Sequence, residues 1–305
     1  MNRLILGILI ILFPLEMAGQ MFTLSDNYGY NTLSINPAYA GCQDALSATI
    51  LYRNQWVGFK DAPTSYLMSV HMPFLNDKIG MGLLMEKNSI GIFRETNIIG
   101  NYAYRIKLNK GILSLGLGFG VTVNNIAWNK LVATDPNDIQ LMDNPPSAIL
   151  PVISLGAYYY AQKYYFGFSI PGFLTHTLDQ TTGKYKTSNN FSEYNYIFMG
   201  GYALRLNSAI SMLPSFLIKY YPRNGVQVDY NLQVSLKDKF WVGIGYRNKN
   251  SLTGMVQMQL NYQLRVVYSY GFDLGSLAKY KNGSHEIGLN YILRYSRKVN
   301  GPRQF

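Results

Sequence analysis

The sequence has little charge, one cysteine, and no long apolar run after its first twenty residues. Its single cysteine, Cys42, excludes an intramolecular disulfide and a zinc site made of cysteines alone. Charged residues make up only 14% of the 305 positions, against about 25% in an ordinary soluble domain, which argues against a soluble α/β enzyme. After residue 20 no apolar stretch reaches the roughly 18 residues of a transmembrane helix. Stability must therefore come from backbone pairing and packing.

The first twenty residues, MNRLILGILIILFPLEMAGQ, are organised like a secretory signal peptide. Arg3 provides a basic start, Leu4 to Phe13 form an apolar core, and Ala18-Gly19 supply small residues for cleavage. The core is shorter than the roughly 20 residues that a membrane-spanning helix needs. A buried N-terminal strand or an anchor helix is the alternative. We therefore predict that residues 1–20 are a signal peptide and that the mature chain leaves the cytoplasm.

Beyond this leader, apolar and polar residues alternate with a period of two in many short stretches. Val226 to Lys237 reads VQVDYNLQVSLK, which puts the apolar residues on one face of a strand and the polar residues on the other. A soluble sandwich and a membrane barrel with a wet lumen both accept such strands. Strand lengths of about 9–12 residues, aromatic residues at strand ends such as Tyr158-Tyr159-Tyr160 and Phe240-Trp241, and alternating connection lengths favour the barrel.

The sequence predicts an all-β fold, a transmembrane antiparallel β-barrel of about fourteen strands with a short N-terminal periplasmic segment. The segment covers residues 21–44, the barrel 45–295, and a periplasmic tail 296–305. The predicted strands are 45–56, 64–72, 79–87, 96–106, 112–124, 151–160, 164–170, 194–206, 211–221, 226–236, 240–247, 252–261, 266–273 and 285–295. With the mature N-terminus in the periplasm, the short turns also face the periplasm and the longest connections, 125–150, 171–193 and 274–284, lie outside.

Positive charge accumulates in the predicted periplasmic turns. The net charge of +11 is typical of proteins that bind nucleic acid, anionic lipid or an acidic partner. The turns contain Lys78, Lys107, Lys110, Lys163, Lys237, Lys239 and Arg265, against Asp77 and Asp238. A basic rim can dock an acidic protein or lipid headgroups. Ordinary soluble turn chemistry explains the same residues equally well.

Motifs for catalysis, cofactors and metals are weak. The histidines His71, His176 and His285 lack metal-ligand spacing, and we expect loop or interfacial positions for them. The run Gly116 to Gly120 faintly resembles a phosphate loop, but it lies inside a predicted strand. An inward glycine column that relieves crowding or permits curvature is the favoured interpretation. We predict no enzyme activity, no cofactor and no metal.

The segment before the first strand, Asn31 to Gly41, has the composition of a compact turn. It reads NTLSINPAYAG, in which Asn36-Pro37 is a turn-forming pair among small residues. We expect a structured cap or plug at the periplasmic mouth. At the far end of the first strand, Trp56 suits an aromatic girdle and Arg53 would line the lumen or the rim. The predicted partner-binding residues are Asn36, Pro37, Ala38, Tyr39, Gly41, Arg53, Trp56, Lys107, Lys110, Lys163, Lys237 and Lys239.

Two regions of the chain resemble the PorP/SprF family of Bacteroidota. The first has NPAYAG at 36–41, followed by R-x-Q-W-x-G-F-x-x-A-P-x-S at 53–65. The second has Asp273-Leu274 and then Y-x-N-G-S-H-E-I at 280–287. The resemblance extends through essentially the whole mature chain. One departure is Asp61, where the family usually has glycine.

The resemblance implies an outer-membrane component of the type IX secretion system that anchors secreted surface proteins, including gliding adhesins, or aids their export. It implies as partners a periplasmic ring of secretion subunits, a peptidoglycan-binding lipoprotein, the cargo itself and outer-membrane lipid. We expect no nucleic acid partner. The polar lumen face also fits a passive channel or a lipid-uptake porin. An outer-membrane hydrolase would need a Ser/His pair on adjacent strands, which the spacing does not suggest.

Overall fold

The computed structural model of the protein describes residues 27–75, 77–127, 147–178, 185–222, 225–248, 251–274 and 282–293. The predicted signal peptide, residues 1–20, and the predicted tail, residues 296–305, lie outside the described residues. No helix in the described part of the chain is long and apolar enough to cross a membrane.

Strands dominate the structure. They are β1 Leu46–Asn54, β2 Thr64–Phe74, β3 Ile79–Ile90, β4 Phe93–Leu108, β5 Gly111–Ile126, β6 Ala148–Tyr160, β7 Tyr164–Ile170, β8 Thr175–Leu178, β9 Tyr185–Ser188, β10 Tyr196–Tyr202, β11 Leu204–Arg205, β12 Ile210–Tyr221, β13 Gly225–Leu236, β14 Phe240–Arg247, β15 Ser251–Gln259, β16 Leu264–Asp273 and β17 Ser284–Leu293. Short 3-10 turns occur at Thr32–Ser34, Pro37–Tyr39 and Phe191–Glu193.

The strands close into a single antiparallel ring. Neighbouring strands pair in sequence order, β1 pairs with β17, and β10 pairs with both β7 and β12. The hairpin β8–β9 stands apart from the ring, and β10 and β11 are one barrel strand interrupted at Ala203. The ring thus has fourteen barrel strands, which confirms the predicted all-β barrel. Closure leaves no free edge, as hydrocarbon requires.

The connections differ between the two ends of the barrel. At one end, the short-turn end, the chain reverses in brief turns such as Asn109-Lys110 and 237–239. The other end, the long-loop end, includes the longest connections, between β5 and β6 and between β7 and β10. There β3 and β4 continue to a two-residue turn, Gly91-Ile92, although the sequence predicted a connection over 88–95. Backbone pairing does not depend on polarity, so polar residues extend these strands beyond the apolar band.

The outer surface of the barrel is apolar. In β5 the outward residues alternate with inward serine and glycine, as the sequence predicted. Their exposed fractions are 46% for Leu115, 42% for Leu117, 62% for Phe119 and 37% for Val121. A surface of this extent is stable only against hydrocarbon, and bacterial barrels of this kind have short periplasmic turns and longer outer loops. The short-turn end therefore faces the periplasm.

We expect Leu117→Arg to destabilise the barrel by about 2–4 kcal/mol, because it places a cation on the lipid face near the middle of β5. Equilibrium urea unfolding in liposomes measures the change. The control is Leu206→Arg, which alters an exposed residue in a turn at the short-turn end and should cost about 1 kcal/mol or less. Equal effects of the two substitutions would contradict the membrane assignment of the outer face.

Candidate functional site

The lumen near the short-turn end is filled by the chain's own N-terminal segment. Residues 27–45, which we call the plug, precede β1 and are almost all buried. Ala38, Ala40 and Cys42 have an exposed fraction of 0%. The sequence predicted a cap or plug at the periplasmic mouth, and the structure places this segment inside the ring of strands.

Asn36 folds the plug and also attaches it to the wall. Its Oδ1 accepts a hydrogen bond from the Ala38 N–H at 2.9 Å, which caps the 3-10 turn that begins at Pro37. Its Nδ2 donates to the carbonyl oxygens of Ala157 and Phe168, at 3.0 and 3.2 Å. One buried amide therefore sets the turn and joins the plug to β6 and β7.

Glycines in the wall make room for the plug. A Cβ atom at Gly116 would lie 2.1 Å from the Ala38 nitrogen, and one at Gly156 would lie 2.0 Å from the Asn36 Oδ1. No side chain fits in these spaces while the plug is in place. Of the inward glycines that the sequence predicted in β5, Gly116 admits the plug backbone, whereas Gly118 and Gly120 relieve crowding against residues of the neighbouring strands.

Polar side chains of the wall form hydrogen bonds with the plug, most of them with its backbone. Three serines donate hydrogen bonds: Ser69 to the Asn31 Oδ1 at 3.0 Å, Ser114 to the Ala38 carbonyl at 2.6 Å, and Ser169 to the Ile35 carbonyl at 2.7 Å. His71, in β2, accepts from the Gly41 N–H at 3.2 Å and is 3% exposed. The expected loop or interfacial position is therefore wrong for His71, because the alternation of β2 turns its side chain into the lumen.

Around the plug the lumen is an apolar core, which fits the predicted plug and not the wet lumen of the passive-channel alternative. Tyr39 packs edge-on against Tyr158, with ring centroids 5.4 Å apart. Leu213, Leu217 and Met199 are buried in the same cluster as the plug. Tyr158 was predicted to join an aromatic girdle, but its side chain faces inward, as that of Tyr160 does.

The end of the plug that leads into β1 is held by Arg105 of β4. Its guanidinium forms an ion pair with Asp44 and donates to the Tyr160 hydroxyl at 2.7 Å. Arg105 is 4% exposed, and buried charges need such partners.

The beginning of the described plug is held by β16 and β17. The Asn27 amide donates to the Ser269 hydroxyl at 2.8 Å and to the Glu286 carboxylate at 2.9 Å. Arg53, predicted to line the lumen or the rim, lies in the lumen with its Nε 3.8 Å from Glu286. The wall therefore anchors the plug at both ends.

Tyr30, near the beginning of the plug, also attaches it to β16. Its hydroxyl donates to the Arg265 carbonyl at 2.8 Å. Burial raises the pKa of the Tyr30 phenol above its ordinary value, so the group keeps the proton that it donates.

The predicted partner-binding residues fall into three separate places. Five of them lie in the plug and are buried against the barrel wall, namely Asn36, Pro37, Ala38, Tyr39 and Gly41, and Arg53 of β1 is buried on the lumen side of that wall. Trp56 is half-buried at the opposite, long-loop end. The lysines Lys107, Lys110, Lys163, Lys237 and Lys239 are exposed at the short-turn end. Partner binding by these residues stays a prediction.

The basic rim at the short-turn end differs from the predicted set of residues by one exchange, since Arg205 belongs to it and Arg265 does not. Lys78 and Arg205 are exposed there with the five lysines. Arg265 is instead 7% exposed and lies over the Trp241 ring, 4.3 Å from its centroid. Both side chains point into the lumen, and the alternation of β14 and β16 is the signal that would have shown it.

Known proteins resemble this chain in sequence or in fold. The chain matches the family model described as type IX secretion system membrane protein PorP/SprF over residues 18–291. Among solved structures, the CymD monoaromatic hydrocarbon channel has 13% identity and a TM-score of 0.53, covering 92% of this chain and 96% of that one. Omp33 of Acinetobacter baumannii has 8% identity and a TM-score of 0.46, covering 83% of this chain and 100% of that one. No curated protein matches the chain.

We expect Gly116→Ala to loosen the plug, because the added methyl group would overlap the backbone of Ala38. The rate of maleimide labelling of Cys42 measures this, since Cys42 is the only cysteine and is buried in the plug. Labelling should rise about tenfold or more. The control is Gly254→Ala, where a new Cβ meets nothing within 4 Å. Unchanged labelling in Gly116→Ala would contradict the packing of the plug.

We expect the isosteric change Asn36→Asp to release the plug as well. A carboxylate oxygen would replace the Nδ2 that donates to two carbonyl oxygens of the wall, so attraction becomes repulsion. Cys42 labelling should again accelerate by about tenfold. Asn207→Asp, at an exposed turn where only the Oδ1 is used, is the matched control. Equal labelling rates for the two variants would count against the role of Asn36.

Proposed function

We propose, since the chain belongs to the PorP/SprF family of type IX secretion system membrane proteins, that this outer-membrane β-barrel is a closed anchor for other proteins. In this role it retains secreted surface proteins, gliding adhesins among them, or aids their export. It performs no catalysis of its own. Its periplasmic end binds secretion subunits and a peptidoglycan-binding lipoprotein, and its outer end holds the cargo.

The plug is the observation that carries the proposal. It occupies the lumen with buried apolar residues and contacts strands all round the ring, from Ser69 in β2 through Ser169 in β7 to Asn231 in β13. A passive channel needs a continuous polar path for solutes. A barrel whose lumen is packed like a protein core suits a scaffold that presents its two rims.

The charge of the basic rim supports the proposal that a periplasmic partner binds there. Lys107 lies near the end of β4, Lys110 lies in the β4–β5 turn, and Lys163 lies in the adjacent β6–β7 turn, so three exposed cations share one side of the rim. Asp77 and Asp238 are the acidic residues of the described turns at this end. Such a field favours the approach of an acidic surface.

A passive channel or lipid-uptake porin is the second candidate. The long-loop half of the lumen favours it, because inward-facing Lys219, Asp229 and Arg247 form a charged cluster there. Displacement of the plug would join this polar half to the periplasm. Conductance separates the two functions.

We expect the wild-type protein in planar bilayers to show no steady open conductance, because the plug blocks the lumen. Gly116→Ala should produce openings and Gly254→Ala should not. A steady open pore in the wild-type protein would favour the channel and overturn the closed anchor.

We expect Lys107→Glu/Lys110→Glu to reduce about tenfold the recovery of secretion subunits with the tagged protein from crosslinked cells, because the rim loses its attraction for an acidic partner. The control, Lys60→Glu/Lys186→Glu, makes the same change in charge at exposed residues of the long-loop end. Both variants must reach the outer membrane in equal amounts. Undiminished recovery with the first variant would rule out the basic rim as the docking surface.

A further inference from the structure

A groove opens on the outer surface of the barrel at the long-loop end. It has a volume of about 380 Å³ and lies between the β1–β2 loop and the ends of β3 and β4. Its lining combines two cations, one acid, two hydroxyls and an aromatic ring: Lys87, Arg94, Asp61, Thr64, Ser89 and Tyr66. It is separate from the plug, since these strand residues point away from the lumen.

The strand register places the two cations, Lys87 and Arg94, diagonally across from each other on neighbouring strands. Ser89 pairs with Arg94 and also with Thr64, and Lys87, two residues before Ser89, pairs with Tyr66. Lys87 and Arg94 are therefore diagonal neighbours on the outward face. No ion pair joins either cation to an acidic side chain among the residues that the structure describes.

The groove lies at the margin of the apolar band that is nearest the long-loop end. One step toward the short-turn end, the outward row is Ile50, Met68, Met85 and Ile98. Ile50 is 55% exposed and Met68 39%, as lipid-facing residues are. The paired rings of Tyr52 and Tyr66, with centroids 4.8 Å apart, mark the level of the headgroups. Two cations at this height meet the polar heads of outer-leaflet lipids.

The carboxylate of Asp61 restricts which ligands the groove can bind. It has a φ of +57°, in the left-handed region that favours glycine, and its carbonyl accepts from the Gly91 N–H at 2.9 Å. Here the chain carries a carboxylate in a groove that otherwise attracts anions. Carboxylate and hydroxyl groups accept hydrogen bonds from sugar hydroxyls, while Lys and Arg bind phosphate. The set as a whole suits a phosphate attached to a sugar.

We propose that this groove binds the phosphorylated sugar headgroup of an outer-leaflet glycolipid. Lys87 and Arg94 hold the phosphate, and Asp61 with Thr64 and Ser89 holds the sugar hydroxyls. The acyl chains of the lipid run down the apolar face over Met68 and Met85. The proposal depends on the outer-membrane barrel and not on the secretion partners.

Native mass spectrometry of the purified full-length protein tests the proposal. The probes are a diphosphorylated disaccharide lipid (lipid A), its dephosphorylated form, and phosphatidylglycerol. The wild-type protein should retain the phosphorylated glycolipid at least about tenfold more tightly than either other lipid. Lys87→Ala/Arg94→Ala should remove that preference, and the control Lys186→Ala, at an exposed lysine of the β8–β9 hairpin, should keep it. Lys87→Arg/Arg94→Lys, which preserves both charges, should also keep it.

Two further measurements distinguish a phosphorylated glycolipid from free phosphate and from a phospholipid that lacks the sugar. Inorganic phosphate at the concentration of the glycolipid should not displace it, because the acyl chains contribute to binding. Asp61→Gly should weaken the glycolipid severalfold and leave phosphatidylglycerol unchanged. Equal retention by the wild-type protein and Lys87→Ala/Arg94→Ala overturns the proposal, and so does equal retention of the dephosphorylated lipid. Displacement by inorganic phosphate, or tight phosphatidylglycerol binding, overturns the assignment to a phosphorylated sugar lipid.

Discussion

Backbone N–H and C=O groups in hydrocarbon find no water to bond, and every other feature of this barrel depends on that constraint. Each barrel strand must pair on both sides, even where pairing is brief. The β7–β10 and β10–β12 ladders have six residue pairs each, against sixteen between β4 and β5. The ring nevertheless closes there, because an open edge would cost several kcal/mol for each unpaired group.

Closure creates an interior, and the plug converts that interior into a core. Its backbone would carry unsatisfied groups if the wall were purely apolar. Ser114 and Ser169 accommodate the carbonyls of the plug, while the missing side chains at Gly116 and Gly156 allow the backbone of the plug to approach. The strands therefore have two apolar environments, lipid outside and the plug inside. This arrangement makes a closed scaffold compatible with a fold shared with channels.

The sequence was sufficient for the strands and insufficient for the lumen. Alternation reports which residues share a face, so the barrel, its strand number and the outward face of β5 could be predicted. It does not report what fills the interior. Asn36 meets carbonyls 121 and 132 positions away, and no local pattern signals such contacts. Tyr158 and Arg265 were assigned to the membrane interface and the rim because composition was considered without the parity of their strands.

Hydrogen–deuterium exchange in liposomes tests the packed lumen most directly. The account predicts that backbone amides of residues 27–45 which are buried and hydrogen-bonded, such as those of Ala38 and Gly41, exchange as slowly as amides in the middle of β5. Exchange of these amides at the rate of an unstructured peptide, while the strands stay protected, would show that the lumen is open and would contradict the account.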